Sequence, residues 1–451
     1  MIPSAPLDPR SPGTAGTTPS AGGHPDVLRA PLWHAMADAA GLVAADGTVG
    51  ETIFGQMTAL AATHGAVNLG QGAPGTDTPG FLVEAAAEAM RSGMNQYPPA
   101  QGLPALREAV VTQRAKEHGH HVTPEQVLVT VGATEALTAA VLALLPRGGT
   151  ALLFEPFYDG YAAAVAAAGA EIVTVPVLPT PEGFAPDWDV FDARIAAGVD
   201  LMIVNSPHNP TGMVLGREDL LRIHAGAVST DAWIVTDEVY EYLVFDDREH
   251  LSLAALVDDP GRIVTVSSAG KTFNTTGWKV GWCIAAPEVR EAIQAVKQFL
   301  TFVGSGPFQP AIARALTAHT DFGAQNRDSL AARRDVLLDA LAEVPGARIH
   351  RPGAGYFALV DFAEVPGPAV EHGGPGRDGA GPDAFALNAH LTAEYGFTGI
   401  PVSGLCRTGS PAAAHYASTI RYSFCKAPED VERAAAAIRR FGRSLAGDAT
   451  D

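Results

Sequence analysis

Short apolar runs recur through the middle of this chain: "VLVTV" (127–131), "TALLF" (150–154), "EIVTV" (171–175), "LMIV" (201–204), "WIVT" (233–236) and "RIVTV" (262–266). Most are followed by polar or glycine-rich turns and then by alanine-rich stretches with helical spacing. Nearly continuous apolar runs, without strict alternation, predict strands buried on both faces, and helices between them predict a mainly parallel sheet. The expected fold class is therefore α/β. Past about residue 310 the pattern changes to a long helix, short strands at "GYFALVDF", "GFTGIPV" and "TIRYSF", and a last helix from Glu429. That pattern reads as a smaller α+β domain, 311–446. Segment 31–80 precedes the sheet and is expected to join the smaller domain, leaving 81–310 as the large domain.

Two stretches lack any such pattern. Residues 1–30, rich in Pro, Gly, Ser and Thr, read as a disordered tail, and "EVPGPAVEHGGPGRDGAGPD" (364–383) reads as an exposed insertion. No period of 20 to 50 residues repeats, so a solenoid is not expected.

Composition narrows the function classes. A chain of 451 residues exceeds one typical domain core. Its net charge of −19 argues against a nucleic-acid or anionic-membrane surface. No apolar run approaches the ~18 residues of a membrane span, and no basic segment followed by an apolar core marks a secretory signal. The cysteines, Cys283, Cys406 and Cys425, are odd in number and form no CxxC pair, which fits reduced thiols in a cytoplasm. The histidines show neither HExxH nor paired ligand spacing, so no metal is expected.

Lysine usage adds a chemical clue. Of the 30 basic residues only five are lysine, yet Lys271 and Lys279 lie eight positions apart in "SSAGKTFNTTGWKVGW" (267–282). Arginine keeps its proton near neutral pH and cannot serve as a nucleophilic amine, whereas lysine can. Ligands in open α/β sheets bind beyond the carboxyl ends of the strands, and those ends are distinctive here. One runs into Gly132-Ala133-Thr134 at a helix start, where backbone N–H groups suit a phosphate. Another runs into a proline-rich turn bearing Asn209. A third ends on Asp237 with Tyr240 just beyond, and a fourth on Ser267, Ser268 and Lys271. An anion cradle, an amide, a carboxylate with a phenol and an amine are the groups that pyridoxal phosphate requires.

At this point the chain resembles the fold-type I aminotransferases, closest to the branch of kynurenine and glutamine transaminases and actinobacterial-type N-succinyldiaminopimelate aminotransferases. The resemblance spans roughly residues 50–440 and rests on "AVNLGQG", "NQYPPAQGLPALR", "VTVGATEAL", "EPFYDGY", "NSPHNPTG", "TDEVYEYLVF", "SSAGKTFNTTGWKVGW" and "IRYSFCK", in that order. It implies a large domain with a mainly parallel sheet, a smaller α+β domain and pyridoxal phosphate as cofactor. It makes Lys271 the Schiff-base lysine, places Asp237 on the pyridine nitrogen, and sets Asn209 and Tyr240 on the ring oxygen. Ser268, Lys279 and the amides of Gly132, Ala133 and Thr134 would hold the phosphate, and Tyr158 would stack on the ring. Tyr97 would reach the phosphate of a neighbouring subunit, which implies a homodimer. Arg421 would pair bidentately with the substrate α-carboxylate, with Asn209, Phe54 and the Gly72 backbone closing the pocket.

One motif is set aside. "GQGAPG" (70–75) satisfies G-x-G-x-x-G, but Pro74 and Pro79 delay the helix that a dinucleotide site needs inside the motif. The same stretch departs from the family, whose members typically read Gly-Phe-Pro-Asp where this chain has Gly72-Ala73-Pro74-Gly75.

The expected activity is amino-group exchange between an L-amino acid and a 2-oxo acid, with glutamate and 2-oxoglutarate as one pair. N-succinyl-LL-2,6-diaminopimelate is the lead donor, because "TFVGSGPFQP" (301–310) offers Gly304, Ser305 and Gly306 where kynurenine-type relatives tend to place aromatic rings. Kynurenine, glutamine or methionine transamination and cysteine-conjugate β-lysis are the alternatives. A cofactor-sensing transcriptional regulator is disfavoured, because too little chain precedes the fold for a DNA-binding domain.

Overall fold

The computed structural model describes residues 31–43, 46–366 and 382–446. The proposed tail and most of the 364–383 insertion lie outside the described residues. The first strand, β1 (Val67–Asn68), follows a helix over Ile53–His64. The chain then builds β2 (Val127–Val131), β3 (Thr150–Glu155), β4 (Glu171–Thr180), β5 (Gly183–Pro186), β6 (Leu201–Asn205), β7 (Trp233–Asp237), β8 (Ile263–Ser268) and β9 (Val280–Ile284). These form one eight-stranded sheet in the order β2-β9-β8-β7-β6-β3-β4-β5. The run from β8 through β4 is parallel. β9 runs antiparallel between β2 and β8, and β5 closes a hairpin on β4.

The reason for the unbroken apolar runs is visible in the packing. Leu153, Ile203, Val235 and Val264 face a core shared with the helices Gly132–Leu144 and Asp159–Ala168. Their neighbours Leu152, Met202, Ile234 and Ile263 face the opposite core, shared with Trp188–Ala197 and Arg217–Thr230. With both faces covered, the strand interiors are almost wholly apolar, threonines such as Thr130, Thr236 and Thr265 excepted.

The remaining strands, β10 (Arg348–His350), β11 (Phe357–Asp361), β12 (Phe397–Thr398), β13 (Ile400–Pro401) and β14 (Thr419–Ser423), lie in the C-terminal part. The four-stranded antiparallel sheet β10-β11-β14-β13 packs against Phe322–Ala342 and Pro428–Leu445. β1 pairs in parallel with β12, and the Ser423 amide donates to the Leu69 carbonyl at 2.7 Å. The segment 67–75 is thereby fastened beside β14. A side chain at Gly75 would strike the Ala427 backbone at 2.1 Å, so only glycine permits this close approach.

Candidate active site

The carboxyl ends of β6, β7 and β8 meet the end of β2 and the 67–75 segment around a cavity of about 310 Å³. Phe54, Gly72, Gly132, Ala133, Thr134 and Tyr158 line it, together with Asn209, Asp237, Tyr240, Ser268, Lys271, Lys279 and Arg421. Of the cofactor- and substrate-binding residues expected from the family resemblance, Tyr97 alone does not. It is 81% exposed and stands edge-on to Phe302, with ring centroids 5.5 Å apart.

Local conformation builds an anion cradle on one side. β2 ends at Val131, and Gly132 turns the chain into a helix with φ of 71°. A Cβ at Gly132 would lie 3.1 Å from both Cε and Nζ of Lys279. Lys279 itself is left-handed, with φ of 53°, and its amine stands 3.5 Å from the Thr134 hydroxyl. Free helix N–H groups, a hydroxyl and an ammonium therefore share one spot, an arrangement suited to a phosphate.

The opposite side of the cavity holds a buried carboxylate. Asp237 ends β7 and is 5% exposed. Burial pushes its carboxyl up to about 6, against the Tyr161 hydroxyl, which donates to Oδ2 at 2.6 Å and favours the charged form. Asn205 ties the neighbouring strand end in place. Its side-chain amide donates to the Asp237 carbonyl at 2.9 Å, and its Oδ1 accepts from the Asn209 amide at 2.8 Å.

Lys271 stands between these features, on the single turn Ala269–Thr272 that follows β8. Burial lowers its pKa, which Cys425 and Asp237 partly oppose and Lys279 and Arg421 reinforce. Its Nζ donates to the Tyr356 hydroxyl at 2.8 Å. Arg421, 1% exposed on β14, donates to Asn209 Oδ1 at 3.0 Å and to the Gly70 carbonyl at 2.8 Å. The Phe357 ring lies 3.9 Å from the guanidinium carbon and the Phe54 ring 5.4 Å away. Burial pushes the Arg421 pKa down to about 10, so it remains a cation at neutral pH. Its Nε is buried without a partner, leaving donor capacity for a carboxylate.

The comparisons with known proteins agree with this geometry. A profile of the family "Aminotransferase class I and II" matches residues 64–438. The chain belongs to the class I and II aminotransferases. A probable N-succinyldiaminopimelate aminotransferase of Mycobacterium tuberculosis is 43% identical over 395 residues, covering 86% of this chain and 95% of that protein. The solved structure of N-succinyldiaminopimelate aminotransferase from the same species superposes with a TM-score of 0.79 at 42% identity, covering 87% of this chain and 97% of that one. A methionine aminotransferase of Escherichia coli is 35% identical, covering 87% of this chain and 96% of that protein.

The cofactor of this aminotransferase is pyridoxal phosphate, and the residues fit it. The cradle at Gly132 suits the phosphate, the Lys271 amine suits the aldehyde, and Asp237, buried without a cationic hydrogen-bond partner, suits a protonated ring nitrogen. Sequence reasoning missed Tyr161, Asn205, Tyr356 and Phe357, all at or beside the cavity. It also missed the buried network behind β7. Arg114, wholly buried, donates to Glu238 at 2.8 Å and to Glu241 at 2.5 Å. His250 lies 3.2 Å from Glu238, His118 lies 2.8 Å from Glu241, and Ser267 donates to Glu241 at 2.5 Å. Burial, the largest single effect, would raise both glutamate pKa values, but Arg114 and the neighbouring histidines, His250 and His118 at Glu238 and His118 at Glu241, together outweigh it and hold both low. His118, Glu241 and His250 lie close enough to hold a metal, but the Arg114 guanidinium already occupies Glu241. The network instead braces the turn that carries Asp237 and Tyr240.

The expectation about Gly304 needs correction. A Cβ there would lie 2.4 Å from Val131 Cγ2, so its small size serves packing against β2. Residues 304–306 do not line the cavity within one chain.

Proposed function

We propose that this aminotransferase exchanges the amino group of N-succinyl-LL-2,6-diaminopimelate with 2-oxoglutarate, as a homodimer in the cytoplasm. The observation that carries the donor is the 43% identity, over 95% of its length, to a protein named for that substrate, against 35% to one named for methionine. Support for the dimer comes from an apolar patch on the described surface: Tyr97, Phe299, Leu300, Phe302 and Met94 are all exposed, Phe299 by 90%. Three unpaired cysteines fit a reducing compartment. On this reading 81–310 forms the cofactor-binding domain, and 31–80 with 311–446 forms the smaller one.

Bound pyridoxal phosphate supplies a reactive aldehyde and a ring that accepts electrons. Lys271 Nζ would provide the amine for the aldehyde and the base that takes a proton from the substrate Cα. Burial lowers its pKa, which favours the neutral amine needed for both tasks. Asp237 would hold a proton on the ring nitrogen, and Asn209 and Tyr240 would hold the ring oxygen. The Gly132–Thr134 amides, Ser268 and Lys279 would hold the phosphate, while Tyr158 would pack on the ring face. Arg421 orients the α-carboxylate of donor and acceptor in turn, and Phe54 and Gly72 exclude water above it.

The test is a kcat/KM panel with 2-oxoglutarate as acceptor and the succinylated donor, kynurenine, glutamine and methionine as donors. The succinylated donor should be the best of the four. If it is poorer than kynurenine or methionine by about tenfold, roughly 1.4 kcal/mol in transition-state binding, the donor assignment fails.

A further inference from the structure

The Lys271 amine is not held by a charged group. It donates to the hydroxyl of Tyr356, and that hydroxyl donates its own proton to the Gly72 carbonyl at 2.7 Å. Since a phenol has one proton to give, the Gly72 bond leaves only oxygen lone pairs facing the lysine. Tyr356 is 1% exposed and its ring is fixed from several sides. It stands edge-on to Tyr240 at 5.2 Å and to Phe357 at 4.8 Å between ring centroids. A Cβ at Gly72 would come within 2.9 Å of the Tyr356 ring and 2.6 Å of Phe357, so the 67–75 segment lies directly on both rings. The phenol oxygen is therefore a prearranged acceptor, fixed by the segment that closes the cavity.

We propose that Tyr356 is a positioning residue for Lys271: it receives the lysine amine whenever that amine is free and holds it at the height from which it exchanges protons with substrate. The Gly72 carbonyl, by engaging the phenol proton, makes this positioning depend on the 67–75 segment being in place. The inference rests on Lys271 being the reacting lysine. A hydrogen bond to a phenol lone pair stabilises the ammonium more than the neutral amine, so it partly offsets the effect of burial on Lys271. The other groups that act on this amine are Asp237, Cys425, Lys279 and Arg421, with the Tyr240 ring 5.9 Å away.

The test is Tyr356→Phe, which keeps the ring and removes the acceptor. In the holoenzyme carrying the aminated cofactor, pyridoxamine phosphate, the amine of Lys271 is free. With only five lysines in the chain, a titration of lysine labelled with carbon-13 at Cε can follow each one, with Lys271→Arg supplying the assignment. The Lys271 midpoint should fall by about one pH unit in Tyr356→Phe, the order expected for losing one hydrogen bond to a charged group. The other four should not move. In turnover, kcat should fall by roughly tenfold or more with donor KM within about threefold, and the isotope effect from an α-deuterated donor should rise. An unchanged Lys271 midpoint and isotope effect would overturn the proposal. If Tyr356→Phe does not fold, 3-fluorotyrosine at position 356, a weaker acceptor of the same shape, should lower the midpoint by a smaller amount, and no shift there is equally decisive. Failure of the underlying assignment looks different: Lys271→Ala would then retain the covalent cofactor.

Discussion

Asp237 should make the cofactor-free protein less stable at neutral pH than a neutral residue would. Its carboxyl is raised from 3.8 to about 6, with burial as the largest cause. A group whose folded pKa lies above its unfolded value contributes stability at low pH and loses it as pH rises through the folded value. The penalty should therefore be absent below about pH 4, grow between pH 4 and 6, and be complete above. A gap of about two pH units, at about 1.36 kcal/mol each, puts the penalty near 3 kcal/mol. Asp237→Asn removes the charge and keeps an oxygen that can accept from Tyr161, now 2.6 Å away. Urea unfolding of both cofactor-free proteins, at one protein concentration from pH 4 to 8, gives the difference in stability with other titrations cancelled. The variant should be more stable by about 1–3 kcal/mol at pH 8, and the gain should vanish near pH 4. With pyridoxal phosphate bound the order should reverse, because the ring nitrogen's proton pairs with the carboxylate. A variant no more stable than the wild type at pH 8, or a gain independent of pH, would refute this reasoning.

Other outcomes follow from the same geometry. Arg421→Lys should raise KM for the amino donor and the 2-oxo acceptor together and lower kcat/KM by roughly 2–4 kcal/mol; unchanged KM values in steady-state assays would make Arg421 purely structural. Mixing Lys271→Ala subunits with Tyr97→Phe subunits should recover activity above that of either alone if Tyr97 completes the partner's site. A fully active monomer in analytical ultracentrifugation would rule that out.

The strands most legible in the sequence were those buried on both faces, because "VLVTV", "LMIV" and "RIVTV" leave no alternative pattern. Their ends were less legible. Asn205, Asp237 and Ser267–Ser268 are polar, yet they continue the ladders of β6, β7 and β8. β9 was missed because "VGWCI" follows directly on the Lys279 motif and pairs antiparallel, outside the strand-turn-helix rhythm. Lys271, Asp237 and Asn209 could be named because each ends or follows a recognisable strand run, and Arg421 because "IRYSFCK" carries the family resemblance. Tyr161, Tyr356 and Arg114 could not, since their partners are remote in sequence: 76 residues separate Tyr161 from Asp237, 85 separate Lys271 from Tyr356, and 284 separate Tyr356 from Gly72. Only the folded packing of the 67–75 segment on β11 and β14 brings Gly72 to Tyr356.

The central claim is that Lys271 carries the amine chemistry. Borohydride reduction of the holoenzyme, followed by digestion and mass spectrometry, fixes the cofactor to whichever lysine holds it. The mass of reduced pyridoxal phosphate should appear on the peptide containing Lys271 and be lost in Lys271→Ala, which should still bind the cofactor without a covalent bond and show no turnover. Label on Lys279, Lys297, Lys426 or Lys116 instead would contradict the account.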